Sequence, residues 1–248
     1  MKMRLAWSTL LLAGLAFGQA AAPAGVGSVG AAGASGAVRT AAPVDWANLN
    51  RYRDANAKLG APTTDEDRVV FMGDSITDAW VRFNFFPGKP YIGRGISGQT
   101  TPQMLVRFRQ DVVDLKPKVV LILAGTNDIA GNTGPSTPEM IEDNLMTMAD
   151  IAKANGIKVV LCSITPAFDY PWKRGMEPAP KILALNAWMK EYAAKAGLIY
   201  ADYYSAMVDE RPGMKTELST DGVHPNQAGY DLMAPVAERA IAQALGRK

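Results

Sequence analysis

The chain has a single histidine, His224, set in Asp221-Gly222-Val223-His224-Pro225, three residues after an acid and just ahead of a helix start. Imidazole is the side chain whose unperturbed titration falls near neutral pH, so acid–base chemistry there would be expected to use this ring. The count also removes alternatives. A histidine-rich zinc or di-iron site cannot be built from one imidazole, and the lone Cys162 cannot form a thiolate cluster. Hydrolysis would then need a side-chain nucleophile or carboxylate-held ions. A lone loop histidine also has a plainer reading, as a solvated or capping residue.

Such groups need elements to position them, and the chain alternates short apolar runs with longer helical patterns. That alternation is the pattern of βαβ units around a parallel sheet. The runs Val69-Val70-Phe71-Met72, Val119 to Leu123, Val159-Val160-Leu161 and Leu198-Ile199-Tyr200 are apolar throughout, as strands covered on both faces should be. Tyr91-Ile92 makes a short fifth strand. Between the runs, Leu105, Phe108, Val112 and Leu115 recur at helical spacing, as do Ile141, Leu145, Met148 and Ala152, and then Ile182, Leu185, Met189 and Tyr192. Thr101-Pro102 opens one helix, Ser136 with Glu139 forms a capping box for the next, and Gly156 and Gly197 close two of them. A last helix starts at Asn226, with Tyr230, Met233, Ala237 and Ile241 facing inward. The expected fold is a three-layer α/β/α sandwich around a mainly parallel sheet of about five strands.

In open sheets of this kind ligands bind beyond the carboxyl ends of the strands. The residues found there are Gly73-Asp74-Ser75, Gly93 to Gly98, and Gly125-Thr126-Asn127-Asp128. Four blocks, Phe71 to Thr77, Gly95-Ile96-Ser97-Gly98-Gln99-Thr100, Gly125 to Asp128 and Asp221 to Pro225, occur in the order found in the SGNH hydrolases, also called GDSL esterases and lipases. Over nearly all of its length after residue 43 the chain resembles that family, which implies a flavodoxin-like SGNH hydrolase fold. The resemblance implies Ser75 as nucleophile, with His224 as its base and Asp221 orienting the imidazole, the division of labour of a Ser-His-Asp triad. It implies an oxyanion hole made by the backbone N–H groups of Ser75 and Gly98 and the side-chain amide of Asn127. No metal and no cofactor are implied. Asp74 and Asp128 are expected to brace their turns through local hydrogen bonds. Taken singly, Ser75 also reads as a helix cap, Gly98 and Asn127 as turn residues, and Asp221 as an Asx-turn acid.

The N-terminal residues Met1-Lys2-Met3-Arg4 are basic, and Leu5 to Phe17 is apolar but short for a bilayer crossing. Small residues follow, so residues 1–22 read as a secretory signal peptide, with an uncleaved N-terminal anchor as the alternative. Residues 23–43 are nearly all Ala, Gly, Ser, Val and Pro and read as a flexible tether. The hydrolase domain is expected over residues 44–248, secreted or periplasmic and without stable membrane insertion after cleavage. Cys162, at the end of an apolar run, reads as a buried small hydrophobe. A formal net charge of +2 with both signs dispersed shows no basic stripe, which argues against nucleic acid as a partner.

Two aromatic-rich stretches bear on substrate. Trp80, Phe83, Phe85 and Phe86 follow the candidate nucleophile, and Phe168, Tyr170 and Trp172 follow the fourth strand. Trp80, Phe86 and Trp172 are candidate substrate contacts that would hold an acyl chain or stack on a sugar ring, the alternative being loop packing. The expected substrate is a small-molecule or polysaccharide ester carrying a short acyl group, such as O-acetyl on a carbohydrate. A lysophospholipase or thioesterase acting on lipid acyl groups, and a non-catalytic carbohydrate- or lipid-binding protein on the same scaffold, are the alternatives.

Overall fold

In a computed structural model, which describes residues 45–247, the five apolar runs form one parallel sheet. Its strands are β1 (Val69–Gly73), β2 (Tyr91–Gly95), β3 (Val119–Leu123), β4 (Lys158–Cys162) and β5 (Ile199–Ala201), in the order β2-β1-β3-β4-β5. Every residue of β1 and β3 is buried, which their unbroken Val, Leu, Ile, Phe and Met composition requires once helices cover both faces.

On one face lie α3 (Thr101–Asp111), α5 (Pro138–Ala154) and α6 (Pro178–Ala196), which bury Met104, Phe108, Leu145, Met148, Ile182 and Met189 against Val70, Met72, Val120 and Ile122. On the other face α2 (Ser75–Trp80) and α8 (Gln227–Ala244) bury Ile76, Trp80, Tyr230, Met233, Ala237 and Ile241 against Val69, Phe71, Val119 and Leu121. The alternation of side-chain direction along each strand supplies both cores. The chain is thus the expected three-layer α/β/α sandwich. Three further short helices, α1 (Arg53–Leu59), α4 (Thr126–Ile129) and α7 (Tyr204–Met207), lie outside the periodic patterns of the sequence.

α3 opens at Thr101-Pro102 as expected, and Thr100 before it makes a capping box with Gln103. One helix start differs from expectation by one residue. Thr137, not Ser136, caps α5, its hydroxyl accepting from the Met140 N–H at 3.3 Å, because Pro138 takes the first helical position. Asn226 caps α8 as expected, accepting from the Gly229 N–H at 3.1 Å. The signal peptide and tether expected over residues 1–43 lie outside the described residues. Among the described residues no helix is long and apolar enough to cross a membrane.

The connections leaving β1 and β3 run to opposite sides of the sheet, since β1 is followed by its outer neighbour β2 and β3 by β4. A crevice opens beyond the carboxyl ends of strands at such a reversal. The Gly73-Asp74-Ser75 and Gly125-Thr126-Asn127 turns are both delivered to it.

Candidate active site

Ser75 is the first residue of α2, immediately after the turn that ends β1. Asp74 caps that helix by accepting the Ile76 N–H at 3.0 Å, which leaves the Ser75 hydroxyl partly exposed at the strand end. His224 arrives from far along the chain. Its loop is closed by an antiparallel bridge between Ser219 and Pro225 and by the Asn226 N–H donating to the Leu218 carbonyl at 2.9 Å. The Tyr230 hydroxyl of α8 then donates to the Ile76 carbonyl of α2 at 2.8 Å, tying the histidine loop to the serine helix.

The result is a continuous relay: Ser75 Oγ lies 3.0 Å from His224 Nε2, and His224 Nδ1 lies 2.6 Å from Asp221 Oδ2. The other carboxylate oxygen of Asp221 accepts the backbone N–H groups of Val223 at 2.9 Å and His224 at 2.8 Å. Partial burial pushes the Asp221 carboxyl up, but hydrogen bonds from the backbone and ring of His224 and from the Val223 N–H outweigh it and hold the group at about 2. Asp221 is therefore ionised across the pH range in which an imidazole titrates.

A cavity of about 230 Å³ opens above the relay, lined by Ser75, Ser97, Gly98, Asn127, Asn132, Trp172 and His224. Gly98 takes φ +79°, a conformation that L side chains rarely adopt, and turns the main chain toward this cavity. Asn127 enters from the first turn of α4. Its amide nitrogen donates to the Gln99 carbonyl at 3.1 Å and, over a longer 3.3 Å, to Asp74 Oδ2, while its oxygen accepts from Asn132 Nδ2 at 2.7 Å. The 3.3 Å contact is the weaker of the two and the easier to exchange for another acceptor. The structure thus brings Ser75, Asp221, His224, Gly98 and Asn127 together. Among the described residues no three His, Cys, Asp or Glu side chains converge as metal ligands.

Residues 71–232 match the family of GDSL-like lipases and acylhydrolases. The chain belongs to this family. It is 47% identical to a GDSL-like lipase of Bacteroides thetaiotaomicron, whose crystal structure superposes with a TM-score of 0.78 over 80% of this chain and 98% of that one. A Bacteroides fragilis protein of known structure is 46% identical, with a TM-score of 0.80 over 82% of this chain and all of that one. An acetylxylan esterase of Xylanibacter ruminicola is 27% identical over 74% of this chain and 45% of its own length. The chain spans between 33% and 60% of the lengths of the curated relatives it matches.

Within this GDSL-family site the aromatic expectations divide. Trp172 lines the cavity, with one face stacked on Tyr170 at 5.0 Å and its ring 5.8 Å from that of His224. Trp80 and Phe86 do not line it, which corrects the expectation that they contact substrate. Trp80 lies five residues beyond Ser75, roughly 140° around the helix, so when Ser75 faces the cavity Trp80 faces the core. It stacks on Tyr230 at 5.2 Å and packs edge-on against Phe71 at 5.7 Å, while Phe86 packs on Phe71 at 5.1 Å; both are buried.

Asp74 and Asp128 also divide. Asp74 makes the expected local bond to Ile76, but Asp128 reaches across the fold to α3, accepting the Thr101 N–H at 3.0 Å and its hydroxyl at 2.6 Å. Asn132, Ser97 and the clasp that holds Trp172 were not legible. Lys173 Nζ donates to the Ala130 carbonyl at 2.5 Å, and Asp169 accepts the Tyr170 N–H at 2.9 Å and the Gly175 N–H at 3.1 Å, folding the Trp172 loop over the cavity. Gly131, Gly134 and Pro135 are turn formers in one of these loops, but no local pattern pairs that loop with the one that carries Trp172.

Proposed function

We propose that the chain is an exported serine ester hydrolase acting on short acyl esters, with O-acetylated carbohydrate as the substrate class. The observation that carries this reading is the unbroken Ser75–His224–Asp221 relay, at 3.0 and 2.6 Å, opening into a cavity flanked by backbone and amide donors. A free hydroxyl is a poor nucleophile, and a base within hydrogen-bond reach is what activates it. Ser75 Oγ attacks the ester carbonyl as its proton passes to His224 Nε2. Asp221, ionised, holds the ring in the tautomer that can accept and stabilises the imidazolium formed. The oxyanion is met by the N–H groups of Ser75 and Gly98 and by the Asn127 amide, which gives up its long contact to Asp74. His224 then donates its proton to the departing alkoxide, leaving the acyl group on Ser75. Water attacks in the second half, with His224 again the base, and acid and free serine are released.

Two observations support the short acyl group and the sugar. A cavity of about 230 Å³ is small beside the ~300–1,000 Å³ of drug-sized ligand sites, which disfavours a long lipid chain. Trp172 presents an aromatic face that is backed by Tyr170 and 43% exposed, the kind of surface on which a pyranose ring stacks. The similarity to an acetylxylan esterase points the same way.

The test is the initial rate on p-nitrophenyl acetate and p-nitrophenyl octanoate for the parent and for Ser75→Ala. Hydrolysis of acetate well above that of octanoate, lost by a factor on the order of 10³ or more in Ser75→Ala, is the expected result. Equal slow rates in both proteins would sink the enzyme reading. A preference for octanoate would replace the carbohydrate ester with a lipid one.

A further inference from the structure

Arg107, in the middle of α3, is fully buried and does not line the cavity. Its guanidinium donates in three directions: Nε to Gln99 Oε1 at 2.5 Å, Nη1 to Asp111 Oδ2 at 3.1 Å, and Nη2 to the Gly73 carbonyl at 3.0 Å. Each of the first and last partners is adjacent to the proposed oxyanion hole. Gly73 ends β1 and leads through Asp74 into Ser75, and the same carbonyl also accepts the Ile96 N–H at 3.1 Å from the loop that carries Gly98. Gln99 follows Gly98, and its backbone carbonyl accepts the Asn127 amide at 3.1 Å. Gln99 is itself buried and held from its other end, its Nε2 donating to the Ala47 carbonyl at 2.8 Å.

The three segments that would supply oxyanion donors come from three different strand ends, and the backbone joins only the first two, through the Ile96 N–H on the Gly73 carbonyl, while Asn127 reaches the others through the Gln99 carbonyl and Asp74. Arg107 adds a fork that ties the Gly73 carbonyl to the Gln99 side chain from within the core. A buried charge needs its partners complete, since breaking a buried pair costs several kcal/mol, so the fork cannot drift without loss. Arginine suits the position because its planar fork offers rigidly spaced donors, whereas a lysine concentrates three on one atom.

We propose that Arg107 is a positioning residue for catalysis: through Gly73 and Gln99 it sets the spacing of the Ser75, Gly98 and Asn127 donors around the reacting oxygen. The inference rests on the serine-hydrolase reading and adds a residue to it. It assigns to α3 a function beyond core packing.

The experiment compares parent, Arg107→Lys and Gln99→Ala in three readouts: melting temperature, kcat and KM on p-nitrophenyl acetate, and inhibition by phenylboronic acid, whose tetrahedral adduct on serine places an oxygen in the oxyanion hole. Gln99→Ala leaves the Arg107–Asp111 pair in place and keeps the test usable if Arg107→Lys folds poorly. The expected result is a fall in kcat of at least about tenfold in each variant, short of the 10²–10³-fold that accompanies loss of a whole donor, with KM little changed. Boronate affinity should fall in step with kcat. Values of kcat and boronate affinity within twofold of the parent, or a rise in KM at constant kcat, would overturn the proposal. So would a loss of kcat that disappears well below the melting temperatures, because it would track stability alone. The parent's own boronate sensitivity, absent in Ser75→Ala, reports separately on the serine mechanism; a parent insensitive to boronate overturns both readings, an unchanged variant ratio only this one.

Discussion

Asn127 has a double engagement in this site, and that sets a prediction at the residue scale. Its amide nitrogen is already bonded to Gln99 and more loosely to Asp74, so stabilising an oxyanion is an exchange of the Asp74 contact rather than a new bond. Asn127→Ala is expected to lower kcat by roughly 10²–10³-fold while KM moves little, measured on p-nitrophenyl acetate. Asp74 itself carries a second prediction. Burial pushes its carboxyl up to about 6, against the bond from the Ile76 N–H and the nearby His224, which lower it. The folded state therefore holds this proton more tightly than the unfolded chain does. Its contribution to stability is neutral below the unfolded carboxylate range and becomes increasingly unfavourable as pH rises from about 4 to about 6, then levels off, at a cost on the order of 3 kcal/mol. Asp74→Asn lacks that proton. Urea unfolding at pH 4.5 and 7.5 should show the variant gaining stability relative to the parent at the higher pH, whereas parallel pH dependences would refute the buried titration. Cys162 lies at the opposite extreme: burial pushes its thiol up to about 12, which leaves it an inert core residue.

At the scale of elements, the site depends on β2 and α2 lying closer than side chains normally permit. A Cβ at Gly95 would sit 2.1 Å from the Asp78 nitrogen and 2.5 Å from the Thr77 carbonyl carbon of α2. Backbone on both sides leaves no flexible group to yield. The Tyr52 hydroxyl also donates to the Gly95 carbonyl, pinning the segment before α1 to the same point. Gly95→Ala is expected to push α2 away from the sheet at a cost of roughly 1–3 kcal/mol or more, read as a melting-temperature drop of several degrees. An unchanged melting temperature would mean that α2 is not held as closely as the strand demands. The same displacement moves Ser75, so activity should fall further than stability alone predicts. The aromatic stretch after Ser75 belongs to this scale too. Its spacing placed Trp80 and Phe86 near the rim in sequence, but the short helix turns Trp80 into the clasp of Phe71, Trp80, Phe83 and Tyr230 that joins α2 to α8, and Phe86, beyond the helix, packs on Phe71 beside it.

For the whole molecule, residues 23–43 are nearly all Ala, Gly, Ser, Val and Pro, a composition with almost no large side chain to bury, and the relay, the cavity lining and the Arg107 fork are built by residues that follow them. We therefore propose that residues 44–248 form the working hydrolase domain. A protein beginning at Val44 should hydrolyse p-nitrophenyl acetate with kcat/KM within a few-fold of the full chain; a large loss would assign residues 1–43 a part in the site. With a single cysteine the chain can form no internal disulfide, so the burial of two apolar cores, one on each face of the sheet, must carry its stability.

Much of this architecture was legible because it rests on local physics. Unbroken apolar runs require strands covered on both faces, periods near 3.6 require helices packed on them, and Gly, Pro, Asn and Thr at fixed offsets start and stop the elements. The candidate site was legible through the resemblance of four blocks to the SGNH hydrolases, which singled out Ser75, Asn127 and His224 among the residues at strand ends and ahead of helix starts. Contacts between distant segments were not. Arg107 stands between Met104, Phe108 and Asp111 at inward helical spacing, yet no local rule says that its partners are Gly73 and Gln99. Asp128 binding Thr101, Lys173 reaching the Ala130 carbonyl, and Trp80 turning away from the cavity depend on which loop the folded sheet brings beside which. Sequence alone determined the elements and the chemistry of their tips, because backbone propensity and side-chain type act within a few residues. Tertiary structure alone decided the partners, because packing joins groups whose separation along the chain carries no information about their distance in space.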